Sequence, residues 1–177
     1  QRQRDLAAGL NTAGYISGYR GSPIGGYDQA LWKAKKQLEA HHVRFVPGLN
    51  EDLAATAIWG TQQVNCFPGA KYDGVFSIWY GKGPGFDRSI DAIRHAVFAG
   101  TPQHGGVVAV VGDDPAAKSS TVPSSSDATM VDLHMPILFP GDVQEALDLS
   151  RHAVALSRSC GLWAGLKLVT SVADGTG

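Results

Sequence analysis

The first residues that could carry chemistry lie in a glycine-rich run, GYRGSPIGGYD, at positions 18–28. A glycine-rich loop between a strand and a helix often cradles a phosphate. Here the four glycines lack the GxGxxG spacing of dinucleotide sites, and the Lys-Ser/Thr ending of a P-loop is absent. The spacing alone favours a tight turn, in which glycines supply positive φ and Pro23 begins a helix. The hydroxyl of Ser22 and the amides beside it would still suit a small anion such as a carboxylate.

A second candidate is Glu51, near the start of the segment NEDLAATAIWGTQQVNCF. Asn50 is a good helix N-cap, and acids at 51 and 52 favour the helix dipole, so capping alone would explain all three residues. The rest of the segment has few charges, which predicts a largely buried helix. An ionised carboxylate in such a place is costly unless it has a partner. Two interpretations of Glu51 therefore remain open, a helix cap and a functional acid.

The sequence predicts no metal site. Asp113 and Asp114 could be taken for magnesium ligands, but the following stretch ATMVDLHMPILFP lacks the Asn that would complete the oxygen shell. The six histidines have no metal-binding spacing, and Cys66 and Cys160 are too far apart for a zinc or iron–sulfur motif. Two isolated cysteines also give no disulfide framework, which indicates a cytoplasmic protein with reduced thiols.

Composition narrows the class of protein further. A chain of 177 residues with 44% hydrophobic content can bury one good core, so we expect a single domain over residues 1–177. A formal charge of −1 without a marked basic cluster argues against nucleic acid or an anionic membrane as partner. The apolar runs are too short to cross a bilayer. Gln1 at the start and DGTG at the end suggest a piece of a longer polypeptide.

Apolar strands alternate with helical segments along the chain. This pattern predicts a doubly wound α/β domain, with a mainly parallel sheet and helices on both faces. We expect one helix in QRDLAAGLNTAG that ends at Gly14, one in YDQALWKAKKQLEAHH, and one in FDRSIDAIRHAVFAG that ends at Gly100. Ligands of such sheets bind at the carboxyl ends of the strands. The loops expected there are 18–28, 47–52, 80–86 and 112–127, with SSTVPSSSD lying over the site.

Five segments together resemble one known module. They are, in order, GYRGSP, NEDLAATA, GKGPGFDRSIDAIRHAVFAG, GGVVAVVGDDPAAKSST and PILFPGDVQEALDLSRHAVALS. The chain resembles the pyrimidine-binding (PYR) domain of the thiamine-diphosphate-dependent 2-oxoacid:ferredoxin oxidoreductases over nearly its whole length. The branch it resembles most is indolepyruvate ferredoxin oxidoreductase. The resemblance implies the thiamine-diphosphate-binding fold of the PYR type.

The resemblance also implies roles for individual residues. Glu51 matches the glutamate that hydrogen-bonds N1′ of the cofactor's aminopyrimidine and so promotes loss of the thiazolium C2 proton. Ser22 matches a threonine that faces the substrate carboxylate, although Arg20 and Ser22 both depart from the family's GYPGTP pattern. The remaining matches near the cofactor are Gly21, Lys82, Ser119 and Ser120.

The activity implied by the resemblance is oxidative decarboxylation of indolepyruvate or another aryl-2-oxoacid to acyl-CoA, with ferredoxin as electron acceptor. In this family a separate domain holds the diphosphate and Mg²⁺, iron–sulfur clusters are bound elsewhere, and the domains pair in a homodimer. The chain would then be one half of a site. The alternative left open is a non-catalytic doubly wound module that binds a nucleotide or a protein. Glu51 discriminates between the two, because a nucleotide-binding module has no need of an acid there.

Overall fold

The computed structural model describes residues 1–175, and its centre is a six-stranded sheet in which every neighbouring pair of strands is parallel. The strands are β1 (Thr12–Gly18), β2 (Val43–Phe45), β3 (Gly74–Lys82), β4 (Val107–Asp113), β5 (Ile137–Leu138) and β6 (Ala164–Val169). Their order across the sheet is β2-β1-β3-β4-β6-β5. The predicted parallel sheet is thus confirmed.

Helices cover both faces of this sheet. They are α1 (Arg2–Ala7), α2 (Gly25–Lys33), α3 (Lys35–Ala40), α4 (Glu51–Thr61), α5 (Gly83–Arg88), α6 (Ile90–Ala99), α7 (Asp127–Asp132), α8 (Val143–Cys160) and α9 (Thr170–Ala173), with a short 3₁₀ turn at Val64–Cys66. One core lies between the sheet and α4, α5, α6 and α7, and a second lies between the sheet and α2 and α8. The doubly wound α/β fold expected from the sequence is therefore present.

The continuous apolar pattern of the central strands follows from burial on both faces. In β4, Val107 and Val111 pack into the first core, whereas Val108 and Val110 pack into the second. Every residue of this strand is buried. Such a strand needs apolar side chains at successive positions, because neither face meets water.

Three helix predictions need correction. The first helix ends at Ala7 and not at Gly14, because Gly9 has a φ of +78° and Thr12 already begins β1. The single helix expected over residues 27–42 begins earlier, at Gly25, and is divided at Ala34 into α2 and α3. The helix expected over residues 86–100 begins earlier and is divided at Ser89 into α5 and α6. Its end at Gly100 is confirmed, with a φ of +80°.

A fourth helix prediction, over NEDLAATAIWGTQQVNCF, also needs correction, because α4 ends at Thr61 and is less buried than its composition predicts. Ala54, Ala55 and Ile58 form a buried face against the sheet, but Leu53 on the other side is 50% exposed. The low charge of this segment therefore reflects one packed face and one exposed apolar face. Within residues 1–175, no helix combines the length and apolar character needed to cross a membrane.

The strand order places the expected loops side by side. Strands β2, β1, β3 and β4 are consecutive neighbours in the sheet, and all four end at the same edge. Loops follow β1, β2 and β4 as expected from the sequence, but residues 80–86 form no loop, because α5 begins at Gly83, directly after the last residue of β3. Backbone hydrogen bonds join them at their bases, from Gly48 N to Gly18 O at 2.9 Å and from Tyr19 N to Tyr80 O at 3.0 Å.

Candidate functional site

Glu51 is the first residue of α4 and is not the residue that caps it. The cap is Asn50, whose Oδ1 accepts a hydrogen bond from Leu53 N at 2.8 Å. Asn50 has the extended backbone that an N-cap needs, with φ −157°. Asn50 alone therefore caps the helix, and the carboxylate of Glu51 remains available for another role.

The Glu51 side chain is only 7% exposed and is held by packing. Trp79 on β3 donates from Nε1 to the backbone oxygen of Glu51 at 3.0 Å. On the other side lies Gly85, where an added Cβ would be 2.4 Å from Glu51 Oε1. Among residues 1–175, no group donates a hydrogen bond to this carboxylate. A carboxylate without a partner in such a place is suited to pair with an N–H group of a ligand.

The glycine-rich loop after β1 is not built on positive φ values. None of its four glycines has a positive φ, so that part of the turn interpretation is wrong. Gly18 is required for another reason, because a Cβ there would lie 2.1 Å from the backbone oxygen of Tyr80 on the adjacent strand. Pro23 does not begin the helix either, since α2 begins at Gly25 with Ile24 as its N-cap.

Four of the predicted site residues meet beside this loop. Gly21 packs against the aliphatic part of Lys82, with the Lys82 Cδ 3.1 Å from the position that a Cβ on Gly21 would take. Ser120 donates from Oγ to the backbone oxygen of Ser22 at 3.4 Å. Ser22 is exposed at the edge of the sheet where the strands end. The structure thus groups Ser22, Gly21, Lys82 and Ser120, while Glu51 meets the start of α5 instead.

The segment after β4 is organised by Asp114. Its carboxylate accepts hydrogen bonds from the backbone N–H groups of Lys118, Ser119 and Ser120 at 2.6–2.9 Å. Burial favours the neutral acid, but these hydrogen bonds outweigh it and hold the pKa of Asp114 at about 2. The Ser119 hydroxyl also bonds to Asp114, at 3.2 Å. Asp114 therefore shapes the predicted loop over the site.

Sequence reasoning missed a buried ionic cluster at the ends of β4 and β6. Lys167 lies 3.6 Å from Asp113 through Nζ and Oδ2, and it also forms an ion pair and hydrogen bond with Asp127. Asp113 Oδ2 accepts hydrogen bonds from Ser126 N at 2.8 Å and from its Oγ at 2.7 Å. The available signal was Lys167 itself, a lysine within the apolar run AGLKLV, because a buried ammonium requires a nearby acid.

These carboxylates do not gather around a common point. Within the described part of the chain, no three His, Cys, Asp or Glu side chains are placed to hold a metal ion. Asp113 and Asp114 point in different directions, one toward Lys167 and one toward the backbone of residues 118–120. Both acids are engaged in positioning neighbouring segments.

Comparisons with known proteins give a similarity in structure only. No protein-family model and no curated protein sequence matches the chain. Among solved structures, the thiamine diphosphate-dependent 4-hydroxybenzoylformate decarboxylase of Rhodococcus jostii RHA1 matches with a TM-score of 0.56 and 14% sequence identity. The alignment covers 96% of this chain and 29% of the decarboxylase chain. Nearly the whole chain therefore shares its α/β fold with a part of a thiamine-diphosphate-dependent enzyme.

Proposed function

We propose that this chain is the pyrimidine-binding part of a thiamine-diphosphate-dependent enzyme that acts on 2-oxoacids. The observation that carries the proposal is Glu51, a residue only 7% exposed whose carboxylate accepts no hydrogen bond from the described residues. It lies at the edge of the sheet where the strands end, which is where ligands of doubly wound folds bind. The shared fold with part of a thiamine-diphosphate enzyme agrees with this assignment.

The residues present fit an aminopyrimidine ring. Glu51 would share a proton between its carboxyl group and ring atom N1′, and Gly85 leaves no side chain between that carboxyl group and its surroundings. Gly21, Lys82, Ser119 and Ser120 would line the rest of the cofactor contact, and Ser22 would receive the substrate carboxylate. When bound, thiamine diphosphate supplies the nucleophilic carbon and the electron sink for decarboxylation of a 2-oxoacid.

The finer proposal is a 2-oxoacid:ferredoxin oxidoreductase. One 2-oxoacid, one coenzyme A and two oxidised ferredoxins would give acyl-CoA, CO₂, a proton and two reduced ferredoxins. The support is the ordered set of segments from GYRGSP to PILFPGDVQEALDLSRHAVALS, and the same resemblance favours indolepyruvate or another aryl-2-oxoacid as substrate. The diphosphate-binding domain with its Mg²⁺, the iron–sulfur clusters and a homodimeric partner would complete the enzyme.

Glu51→Gln in the full-length enzyme tests the proposal. The amide keeps the shape of the side chain but cannot share the proton, so hydrogen–deuterium exchange at C2 of the bound cofactor should slow by about a hundredfold or more. NMR of quenched samples measures that exchange. Asp52→Asn is the matched control, because Asp52 lies in the same first turn and loses the same charge. Its exchange rate should stay near that of the wild type.

The outcomes separate the two functional classes. If Glu51→Gln exchanges as fast as the wild-type enzyme, Glu51 has no part in proton transfer and the proposal fails. If the full-length protein binds no thiamine diphosphate at all, a non-catalytic binding module becomes the better interpretation. Equal slowing in Glu51→Gln and Asp52→Asn would also reject the specific role of Glu51, because it would trace the effect to the charge of the helix end.

A further inference from the structure

Strand β4 ends at Asp113, whose carboxylate accepts hydrogen bonds at only one of its two oxygens. Asp113 is fully buried, and all its hydrogen-bond donors approach Oδ2. Its other oxygen, Oδ1, is buried and has no hydrogen-bond partner among the described residues. Oδ1 lies 2.9 Å from the position that a Cβ on Gly83 would occupy. The unpartnered oxygen therefore lies beside the start of α5, at a position where residue 83 has no room for a side chain.

Lys167 fixes Asp113 in this position. The lysine is 6% exposed, and its ammonium group lies between Asp113 and Asp127. A buried charge without its partner is strongly destabilising, so neither Asp113 nor Lys167 can move away from the other at low cost. The pKa of Asp87 on α5 is raised, mainly by burial and to a lesser extent by the negative charge of Asp113. The charge of Asp113 therefore also reaches α5.

The first three residues of α5, the GPG segment (residues 83–85), lie between two carboxylates. A Cβ on Gly83 would be 2.6 Å from both Cβ and Oγ of Ser124, in addition to its contact with Asp113. A Cβ on Gly85 would meet Glu51 Oε1 at 2.4 Å. At the other end of the segment, Ser89 donates from Oγ to the backbone oxygen of Gly85 at 2.9 Å. Neither glycine has room for a side chain.

We infer that Asp113 is a positioning residue for Glu51. Asp113 is held by Lys167 and acts on Glu51 through the GPG segment. The inference rests on the proposed function, because it concerns the acid assigned there to proton transfer. Its physical basis is close packing. The Glu51 carboxylate has no hydrogen bond to fix it, so its place is set by Gly85, and any shift of the GPG segment must change that place.

Gly83→Ala tests this contact path without touching Glu51. The new methyl group meets Asp113 and Ser124, so the segment must shift toward the Glu51 side. In the chain without cofactor, the amide NMR signals of Gly85 and Glu51 should move. In the full-length enzyme, kcat should fall between about tenfold and a hundredfold, with the KM for the 2-oxoacid unchanged. Gly60→Ala in α4 is the control, because a Cβ there meets nothing within 4 Å.

Asp113→Asn tests the carboxylate at the other end of the path. The amide oxygen can still accept both hydrogen bonds from Ser126, so the variant should fold, yet the charge that Lys167 holds is lost. It should lower kcat and leave KM unchanged, as Gly83→Ala does. Asp5→Asn is the control for stability, because it breaks a buried ion pair with Arg158 at 2.7 Å, at the opposite edge of the sheet. It should lower thermal stability and leave kcat intact.

The inference and the proposed function fail in different ways. Unmoved Glu51 and Gly85 signals, or wild-type kcat, in both Gly83→Ala and Asp113→Asn would overturn the inference, even if Glu51→Gln abolishes C2 exchange. A wild-type exchange rate in Glu51→Gln would instead overturn the proposed function. A raised KM in the two positioning variants would also contradict the inference, because it would place the GPG segment in substrate binding.

Discussion

The sequence alone could not show whether Glu51 is part of the cap of α4 or a functional acid, because Asn50 stands directly before it. Asn50 caps the helix, and Glu51 is left with its carboxylate beside Gly85. The mismatch between an acid and an apolar helix was visible in the sequence. The contact with Gly85 was not, because it depends on how the start of α5 meets the start of α4. Residue types therefore singled out Glu51 as a candidate, while its neighbours required the fold.

Ser22 is the residue proposed to meet the substrate, and its hydroxyl is free to do so. Ser120 donates to its backbone oxygen and leaves the Ser22 side chain exposed. Ser22→Ala in the full-length enzyme should raise the KM for the 2-oxoacid. A hydrogen bond to a charged group contributes roughly 1.5–3 kcal/mol, which is about ten- to a hundredfold in affinity. Steady-state rates over a range of substrate concentrations measure the change.

Ser22→Thr is the matched variant, because it keeps the hydroxyl and should retain a KM near that of the wild type. Binding of thiamine diphosphate should be the same in both variants. Unchanged kinetics in Ser22→Ala would show that the loop after β1 is only a connection between β1 and α2. A loss of cofactor affinity would instead assign Ser22 to the cofactor.

At the scale of elements, the sequence predicted strands better than helix boundaries. Apolar runs such as GGVVAVVGDD indicate a buried strand because burial on both faces leaves no other pattern. The division between α5 and α6 had no such signal. It follows from Ser89, which bonds back to the oxygen of Gly85 and interrupts the helix. A local hydrogen bond of this kind competes with the helix, and sequence periodicity does not reveal it.

The loop after β4 should respond to acid through Asp114. The pKa of this residue is held at about 2, below the value of about 3.9 for an unstructured Asp. Its contribution to stability is therefore complete above about pH 5 and is lost as the pH falls toward 2. We expect the amide NMR signals of Ser119 and Ser120 to shift over that range, with a midpoint near pH 2.

Asp114→Asn provides the comparison for this acid response. The amide oxygen is a weaker acceptor than the carboxylate, so the loop should already be loosened at neutral pH, and its signals should no longer titrate. Asp132→Asn, on the exposed surface of α7, should leave the titration of the loop unchanged. A wild-type titration in Asp114→Asn would mean that another group holds residues 118–120.

On the scale of the whole molecule, the chain spans 29% of the thiamine-diphosphate enzyme to which it is similar in structure. Its described residues hold no cluster suited to a metal ion, whereas the diphosphate group is expected to need one. The chain alone should therefore fold but bind thiamine diphosphate weakly, and magnesium should not improve the affinity. Calorimetric titration with and without Mg²⁺ measures both quantities.

Tight, magnesium-dependent binding to the chain alone would contradict the assignment of this domain as the pyrimidine-binding half. Titration with the pyrimidine portion of the cofactor is the useful control, because that ligand lacks the diphosphate. If the diphosphate contributes nothing here, the two ligands should bind with similar affinity.

The two outermost strands of the sheet are also its shortest. Strand β2 has three residues and β5 has two, while the interior strands have six to nine. Open strand edges are where separate chains pair into aggregates and fibres, since their backbone N–H and C=O groups lack partners. Edge strands this short leave few unpaired backbone groups with which another chain could pair. The chain can thus expose apolar helix faces without its sheet becoming a site of fibril formation.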